Sequence, residues 1–564
     1  MGIVFQERAI DRQFALFICR QCGGEGGELF RLMVSLLSSA VGKGNICLAL
    51  ADFAEQTVSV DGKEIVLGKS DALMDMLRSN PPVGLPGEHK PLVLDSSGRI
   101  YLYRYWRYEQ ELASAILTKV LTLAEGVDEG NLQKDVALVA LQRLFCVISG
   151  GPGTGKTSTV VRILALLVEQ GGGRKQKIAM AAPTGKAAAR LKSSINAIRG
   201  TLACSDEVKH AIPDNVVTLQ RLLGGAAGSS RFRYSLQNLL PFDTVIVDEA
   251  SMISLPLMAA LVNALKPSAR LILLGDKDQL ASVEAGSVLG DICSIGEKGS
   301  ETSPLFNSLI KLEKNYRFLD GGGIAELGKA VNAGLENDAL ELLKGNAMEN
   351  ISMQELPPRE DLWKFLACAV IEGYESFVTA RSAAEALERF DNFRILTVLR
   401  DGHYGVTGIN TAVEHILNNK GLINPENRIY HGRPILITVN DYSMQLFNGD
   451  TGILFSDPEQ GGACRAFFAL PDGGVRTIHP ERLPQHETAF AMTIHKSQGS
   501  EFNRVLILLP PVDSVLLTRE LIYTGITRAK HSLEIWTDQT VFCSAVRKKI
   551  ERSSGLKDLL HNHS

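Results

Sequence analysis

Leu144-Phe-Cys-Val-Ile-Ser149 runs straight into Gly150-Gly-Pro-Gly-Thr-Gly-Lys156-Thr157, and Ser158-Thr-Val-Val-Arg-Ile-Leu-Ala-Leu-Leu167 follows with its apolar residues at helical spacing. A β-branched and aromatic run, a glycine-rich loop and an amphipathic stretch read as strand, loop and helix. The spacing Gly150-x4-Gly155-Lys156-Thr157 fits a phosphate-binding loop with the flanks such a loop needs. Glycines let the backbone curl until successive N–H groups face a triphosphate, and the helix N-terminus adds the positive end of its dipole. In this reading Gly150, Gly151, Pro152, Gly153, Thr154, Gly155 and Ser158 wrap ATP, Lys156 reaches its β- and γ-phosphates, and the Thr157 hydroxyl ligates Mg²⁺.

Further strand-end motifs follow downstream. Phe242-Asp-Thr-Val-Ile-Val-Asp248-Glu249 is a hydrophobic strand ending in two carboxylates, where a parallel sheet places its ligands. Asp248 would hold Mg²⁺ opposite Thr157, and Glu249 would orient and deprotonate the attacking water. Leu271-Ile-Leu-Leu274 ends in Gly275-Asp-Lys-Asp-Gln279, where Gln279 is placed to sense hydrolysis. Arg317, between Tyr316 and Phe318, reads as a finger for transition-state charge, and Arg528 as a second one. Gln133, upstream of the loop, is a candidate for bonding adenine, with a solvated helix glutamine as the even alternative. Lys177-Ile-Ala-Met-Ala-Ala182 ends in Pro183-Thr184-Gly185-Lys186, a second anion site at a helix N-terminus, and the anion that suits it is a nucleic-acid phosphate. Thr218 repeats that arrangement more weakly and is equally a helix cap. In Thr493-Ile-His495-Lys-Ser-Gln-Gly499-Ser-Glu501, Thr493 and His495 are placed to meet phosphates and Glu501 to bond a ribose hydroxyl.

Length bounds the rest. At 564 residues the chain exceeds one core and predicts several domains. A hydrophobic content of 45% with 22% charged residues is ordinary for a globular protein, and the net charge of −4 leaves only a local basic groove for nucleic acid. Nine scattered cysteines without a secretory signal predict reduced thiols in the cytoplasm. Cys19 and Cys22 form the one close pair, too few ligands for a metal site. Apolar runs are strand-length, so no membrane span is predicted.

Residues 1–110 show helical apolar faces and no chemistry, which predicts a mainly helical domain with its own core; by analogy with other nucleotide-driven motors, such a silent domain is expected to bind a partner. Arg99-Ile-Tyr-Leu-Tyr-Arg-Tyr-Trp-Arg-Tyr108 suits base stacking, and suits equally a half-buried strand passing into a helix. Residues 111–325 read as an α/β unit, Gly321-Gly-Gly323 as a hinge, and 326–564 as a second α/β unit. Between about 426 and 485 short alternating strands predict a small inserted barrel, with Asn448-Gly449 as a hairpin turn.

The ordered set of phosphate loop, Thr184-Gly-Lys186, Asp248-Glu-Ala-Ser251, Gly275-Asp-Lys-Asp-Gln279, Tyr316-Arg-Phe318, Thr493-Ile-His-Lys-Ser-Gln-Gly499 and Tyr523-Thr-Gly-Ile-Thr-Arg-Ala529 resembles superfamily 1 DNA helicases, and among them the RecD family, the alpha chain of bacterial exodeoxyribonuclease V (RecBCD) complexes. The resemblance covers about 98–540; Asn440-Asp-Tyr442 and Leu446-Phe-Asn-Gly-Asp450 also look like the family's segment that grips single-stranded DNA. It implies two RecA-like P-loop NTPase motor domains, an SH3-like barrel in the second, and ATP-driven 5′→3′ movement along single-stranded DNA. It further implies work at duplex ends in double-strand break repair, beside RecB-like and RecC-like subunits, with the nuclease on another chain. On that basis Thr184, Lys186, Thr218, Asn448, Thr493 and His495 are the DNA contacts. The chain departs from the pattern at Gln220, where relatives usually carry His. A standalone RecD-like helicase, or an assembly subunit with a weak motor, are the competing readings.

Overall fold

The computed structural model describes residues 2–21, 27–122, 140–170, 176–225, 231–295, 303–314, 322–345, 348–441, 443–457, 461–470 and 474–561. The readings placed on Cys22, Gln133, Tyr316, Arg317, Phe318, Gly321 and Tyr442 lie outside the described residues.

Two parallel sheets organise the chain. The first runs Val216–Thr218, Ile178–Ala182, Thr244–Val247, Arg270–Gly275, Phe145–Gly150, Leu309–Leu312. Its interior strands Phe145–Gly150 and Arg270–Gly275 are buried at every residue, as continuous apolar runs must be when helices cover both faces. Side chains alternate between the two faces. Phe145 and Val147 enter a core shared with helices Tyr103–Leu121 and Leu255–Ala264, whereas Cys146 and Ile148 enter the one beneath helix Lys156–Gln170. The second sheet, also parallel, runs Ile351–Gln354, Ala529–Trp536, Phe502–Leu508, Phe393–Thr397, Ala491–Thr493.

After helix Val406–Asn419 the chain leaves the second sheet and builds a five-stranded antiparallel one, ordered Val475–Ile478, Ala463–Ala469, Thr451–Asp457, Arg433–Ile437, His486–Thr488. Ile435, Ile437, Leu454, Ala466 and Phe468 give it a core of its own. Asn448-Gly449 does not make the tight hairpin expected. It closes a longer loop in which Asp441 and Leu446 pair, Asn440 Oδ1 accepts from Asn448 N at 2.8 Å, and Gly449 takes φ +97°.

The N-terminal segment adds strands to the helices expected there. Beside helices Ala9–Arg20, Glu28–Gly42 and Ser70–Arg78 it carries two small sheets, Ile3–Phe5 with Thr57–Val60 and Lys63–Val66, and Cys47–Ala49 with Arg99–Leu102, Leu92–Leu94 and Val83–Gly84. Strands this short leave no readable period. The aromatic and basic run is a strand, Arg99–Leu102, passing into helix Tyr103–Leu121, and Tyr101 and Tyr105 are buried rather than offered for stacking.

The final segment crosses back over the molecule. Ile550 N donates to the Glu520 carboxylate of the second unit at 3.1 Å. Two residues on, Arg552 donates to Gly286 O at 2.7 Å and Glu284 O at 3.1 Å on the first unit. Ser553 O then accepts from Ile46 N at 2.9 Å in the N-terminal segment, and helix Leu556–His561 packs on Tyr103–Leu121.

Candidate functional site

The phosphate loop curls as its glycines require. Gly153 and Gly155 take φ +81° and +82°, a region that side chains avoid. A Cβ on Gly150 would meet Thr154 Oγ1 at 2.6 Å and Leu312, and one on Gly151 would meet the Tyr523 hydroxyl at 3.0 Å. Thr154 Oγ1 donates to Gly151 O at 2.8 Å, which fixes the curl. Lys156 turns its ammonium onto the carbonyls of Gly150 and, at 3.0 Å, Gly151.

Across from Lys156 stands the end of strand Thr244–Val247. Asp248 Oδ1 accepts from Glu249 N at 2.9 Å, and Glu249 adopts φ +52°, left-handed for a residue with a side chain. Burial and the neighbouring Glu249 push the Asp248 carboxyl above the ordinary aspartate range, with Lys156 pulling the other way. Thr157, Asp248 and Glu249 all line one cavity of about 350 Å³ with the phosphate loop. A hydroxyl and a carboxylate are hard oxygen donors, so this set fits a magnesium nucleotide. The curled loop, which a Cβ would fill, fits its phosphates.

The second unit completes that cavity. Glu501 and Arg528 line it beside Gln279 of the first. Arg528 is almost fully buried; its guanidinium donates to Thr524 O at 3.0 Å, Ser500 O at 3.1 Å and Thr527 Oγ1 at 3.1 Å. Gln279 donates to Asp276 Oδ2 at 3.0 Å, and the same oxygen accepts from the Tyr523 hydroxyl at 3.0 Å across the unit boundary. Next to Gln279, Leu280 N donates to Thr524 Oγ1 at 3.0 Å, and Leu280 O accepts from Gln498 at 3.1 Å. The residue expected to sense hydrolysis is thus flanked by three hydrogen bonds to the second unit.

The expected DNA contacts lie along other edges of the same units. Thr184 caps helix Gly185–Arg199, and Thr218 caps the short helix Leu219–Leu222. Lys186 reaches toward Thr451 of the antiparallel sheet at 3.4 Å, and burial pulls its ammonium down to about 8. Gly185 meets Phe447, the neighbour of Asn448. Asn448 is exposed and accepts from Lys496 at 2.7 Å, which ties the antiparallel sheet to the Thr493–Gly499 loop. Thr493 Oγ1 accepts from Lys496 N at 3.3 Å; His495 is half-buried, and burial lowers its pKa. Four side chains were missed from sequence: Arg190 and Ser194, which line the cavity from helix Gly185–Arg199, and Asp276 and Tyr523, which bridge the units. Only the helical spacing of Arg190 and Ser194 after Thr184-Gly-Lys186 signals that they share a face.

Residues 133–285 match the family model of an AAA domain, and residues 488–535 that of the UvrD-like helicase C-terminal domain. Together with two parallel sheets sharing a phosphate-loop cavity, they define the class: an ATP-dependent DNA helicase of superfamily 1. Residues 7–101 match the model described as RecBCD enzyme subunit RecD, N-terminal domain. The chain is 37% identical over 543 residues to the RecBCD enzyme subunit RecD of Mycolicibacterium smegmatis, covering 94% of this chain and 93% of the relative. It is 36% identical over 528 residues to that of Haemophilus influenzae, covering 82% and 80%. It belongs to the RecD family of RecBCD enzyme subunits. The ATP-dependent RecD2 DNA helicase of Deinococcus radiodurans is 29% identical, over 83% of this chain and 59% of that longer protein. Among solved structures, the Pif1 helicase from Candida albicans covers 74% of this chain and 96% of its own, at 15% identity and a TM-score of 0.39. Among the described residues no helix is long and apolar enough to cross a membrane.

Proposed function

We propose that this chain is the 5′→3′ single-stranded DNA motor of a RecBCD-type complex, acting at duplex ends in double-strand break repair with RecB-like and RecC-like partners. One observation carries the motor reading: a single cavity is walled by Lys156, Asp248 and Glu249 from one parallel-sheet unit and by Glu501 and Arg528 from the other. Nucleotide chemistry in such a cavity acts on the gap between units. Lys156 leaves the carbonyls of Gly150 and Gly151 to hold phosphate oxygens. Thr157 and Asp248 would hold Mg²⁺, which when bound neutralises phosphate charge. Glu249 would orient water and take its proton, while Arg528, joined on the sequence reading by Arg317, would meet the developing charge. Gln279 reads the outcome and passes it through Asp276 to Tyr523.

On the DNA side, Thr184, Lys186 and Thr218 of the first unit and Asn448, Thr493 and His495 of the second would hold backbone phosphates in alternation, with little sequence preference. The antiparallel sheet, read as an SH3-like barrel, presents Asn448 beside the Thr493 loop and supports that grip. The units 1–110, 111–325 and 326–564 then act as partner-binding segment and two RecA-like motors. In the test, Lys156→Gln removes ATP hydrolysis and 5′-tailed duplex unwinding while the thermal midpoint stays that of the wild type. DNA-stimulated hydrolysis surviving in that variant would overturn the site.

A further inference from the structure

An ion pair crosses the nucleotide cavity beside the catalytic carboxylates. Arg190, on helix Gly185–Arg199 of the first unit, pairs with Glu501 of the second, and its Nη1 lies 3.5 Å from Gly499 O. Glu501 is the more enclosed partner, with 10% of its side chain exposed against 38% for Arg190. Both line the cavity with Asp248 and Glu249. Burial opposes the charge on Arg190, and the attraction of Glu501, reinforced by Glu249 and Asp248, more than offsets it.

The helix that carries Arg190 begins at the proposed phosphate contact. Thr184 caps it by accepting from Ala187 N at 3.2 Å, and Lys186 sits in its first turn. Arg190 follows about 9 Å further along the axis, at the rise of an α-helix. The Gly499 backbone of the second unit, at φ +74°, rests against Ala187 on the same helix, where an added Cβ would lie 3.6 Å from the alanine's. No loop intervenes between the DNA end of this rod and the ion pair, so a displacement at Thr184 reaches Arg190 undamped.

We propose that Arg190 is a positioning residue: through its pair with Glu501 it carries DNA occupancy at Thr184–Lys186 into closure of the second unit over the nucleotide. This deepens the motor reading and rests on it. Lysine would keep the charge but lose the planar fork that binds a carboxylate and a carbonyl together.

The experiment measures steady-state ATP hydrolysis by the full chain, with and without a single-stranded oligonucleotide, for the wild type, Arg190→Ala, Arg190→Lys, Glu501→Gln and the double variant Arg190→Ala/Glu501→Gln. Each single removal should lower the ratio of stimulated to unstimulated rate by about tenfold, the double variant no further, and Arg190→Lys should fall between, because residues acting as one pair are non-additive. A merely structural arginine lowers both rates together and leaves the ratio intact; that result overturns the proposal, as do losses that add in the double variant. Should Arg190→Ala fail to fold, Arg190→Lys and Glu501→Gln carry the same comparison. A wild type without hydrolysis, or a Lys156→Gln variant that keeps it, is a different failure: it removes the nucleotide reading and this inference with it.

Discussion

The Tyr523 hydroxyl is one atom with two neighbours that matter. It donates to Asp276 Oδ2, and it lies 3.0 Å from where a Cβ on Gly151 would sit. The same oxygen of Asp276 takes the Gln279 amide, so sensor and second unit share one hydrogen-bonded group that lies against the phosphate loop. Burial raises the Asp276 carboxyl, partly offset by Lys156, which makes each bond it accepts matter more. Tyr523→Phe keeps the ring packing and deletes the bond to a buried carboxylate, about 1.5–3 kcal/mol. Its kcat for DNA-stimulated hydrolysis should fall about tenfold with KM for ATP held within about twofold. An unchanged kcat in steady-state assays would show that this bond carries no coupling.

At the scale of elements, the end of the crossing segment Ile550–Gly555 is held by one buried acid. Glu109 accepts from Ser554 Oγ at 2.7 Å and Gly555 N at 3.0 Å. Burial drives its pKa up to about 7, against those hydrogen bonds and with help from the negative charge of half-buried Asp291. The fold therefore binds this proton more readily than the unfolded chain does. The stability it contributes is complete below the ordinary value of 4.5 and is lost as pH climbs through about 7. Glu109→Gln should flatten the decline of thermal midpoint between pH 5 and 8, a difference of up to about 3 kcal/mol across the window. Parallel wild-type and variant slopes in calorimetry would assign the dependence elsewhere.

Elements also show what a sequence can disclose. The phosphate loop and the strand ending in Asp248 and Glu249 were legible because their chemistry is local: glycines at positive φ, a helix N-terminus, carboxylates at a strand end. The parallel sheets were legible from apolar runs such as Phe145–Gly150. Arg190 with Glu501, and Tyr523 with Asp276, were not, because each pair forms only when two separately folded units come together. The N-terminal strands, two to four residues long, gave no period, and Asn448-Gly449 lost its hairpin to the longer Asn440–Asp450 loop. The crossing segment, polar and without a motif, gave no sign of its contacts.

Taken whole, the chain itself joins its two motor units twice, beside the side-chain bonds that cross between them. One join is the chain through residues 315–322. The other is the return at Ile550–Arg552, where residues two apart are fixed to opposite units, on Glu520 and on Gly286. Arg552→Ala removes the second tie at the first unit. It should raise cleavage between the units in limited proteolysis several-fold, since cleavage follows the open population. Equal digestion of variant and wild type would show the tie to be idle.

The contact of Ser553 with Asn45 and Ile46 spans 508 residues. At bacterial elongation rates that separation is roughly half a minute to two minutes of synthesis. Throughout it the segment around Ile46 has neither its last hydrogen-bond partner nor the cover of helix Leu556–His561. The N-terminal segment is made before the motors and finished after them, so a partner subunit that recognises its finished surface would meet only chains whose motors have already been translated.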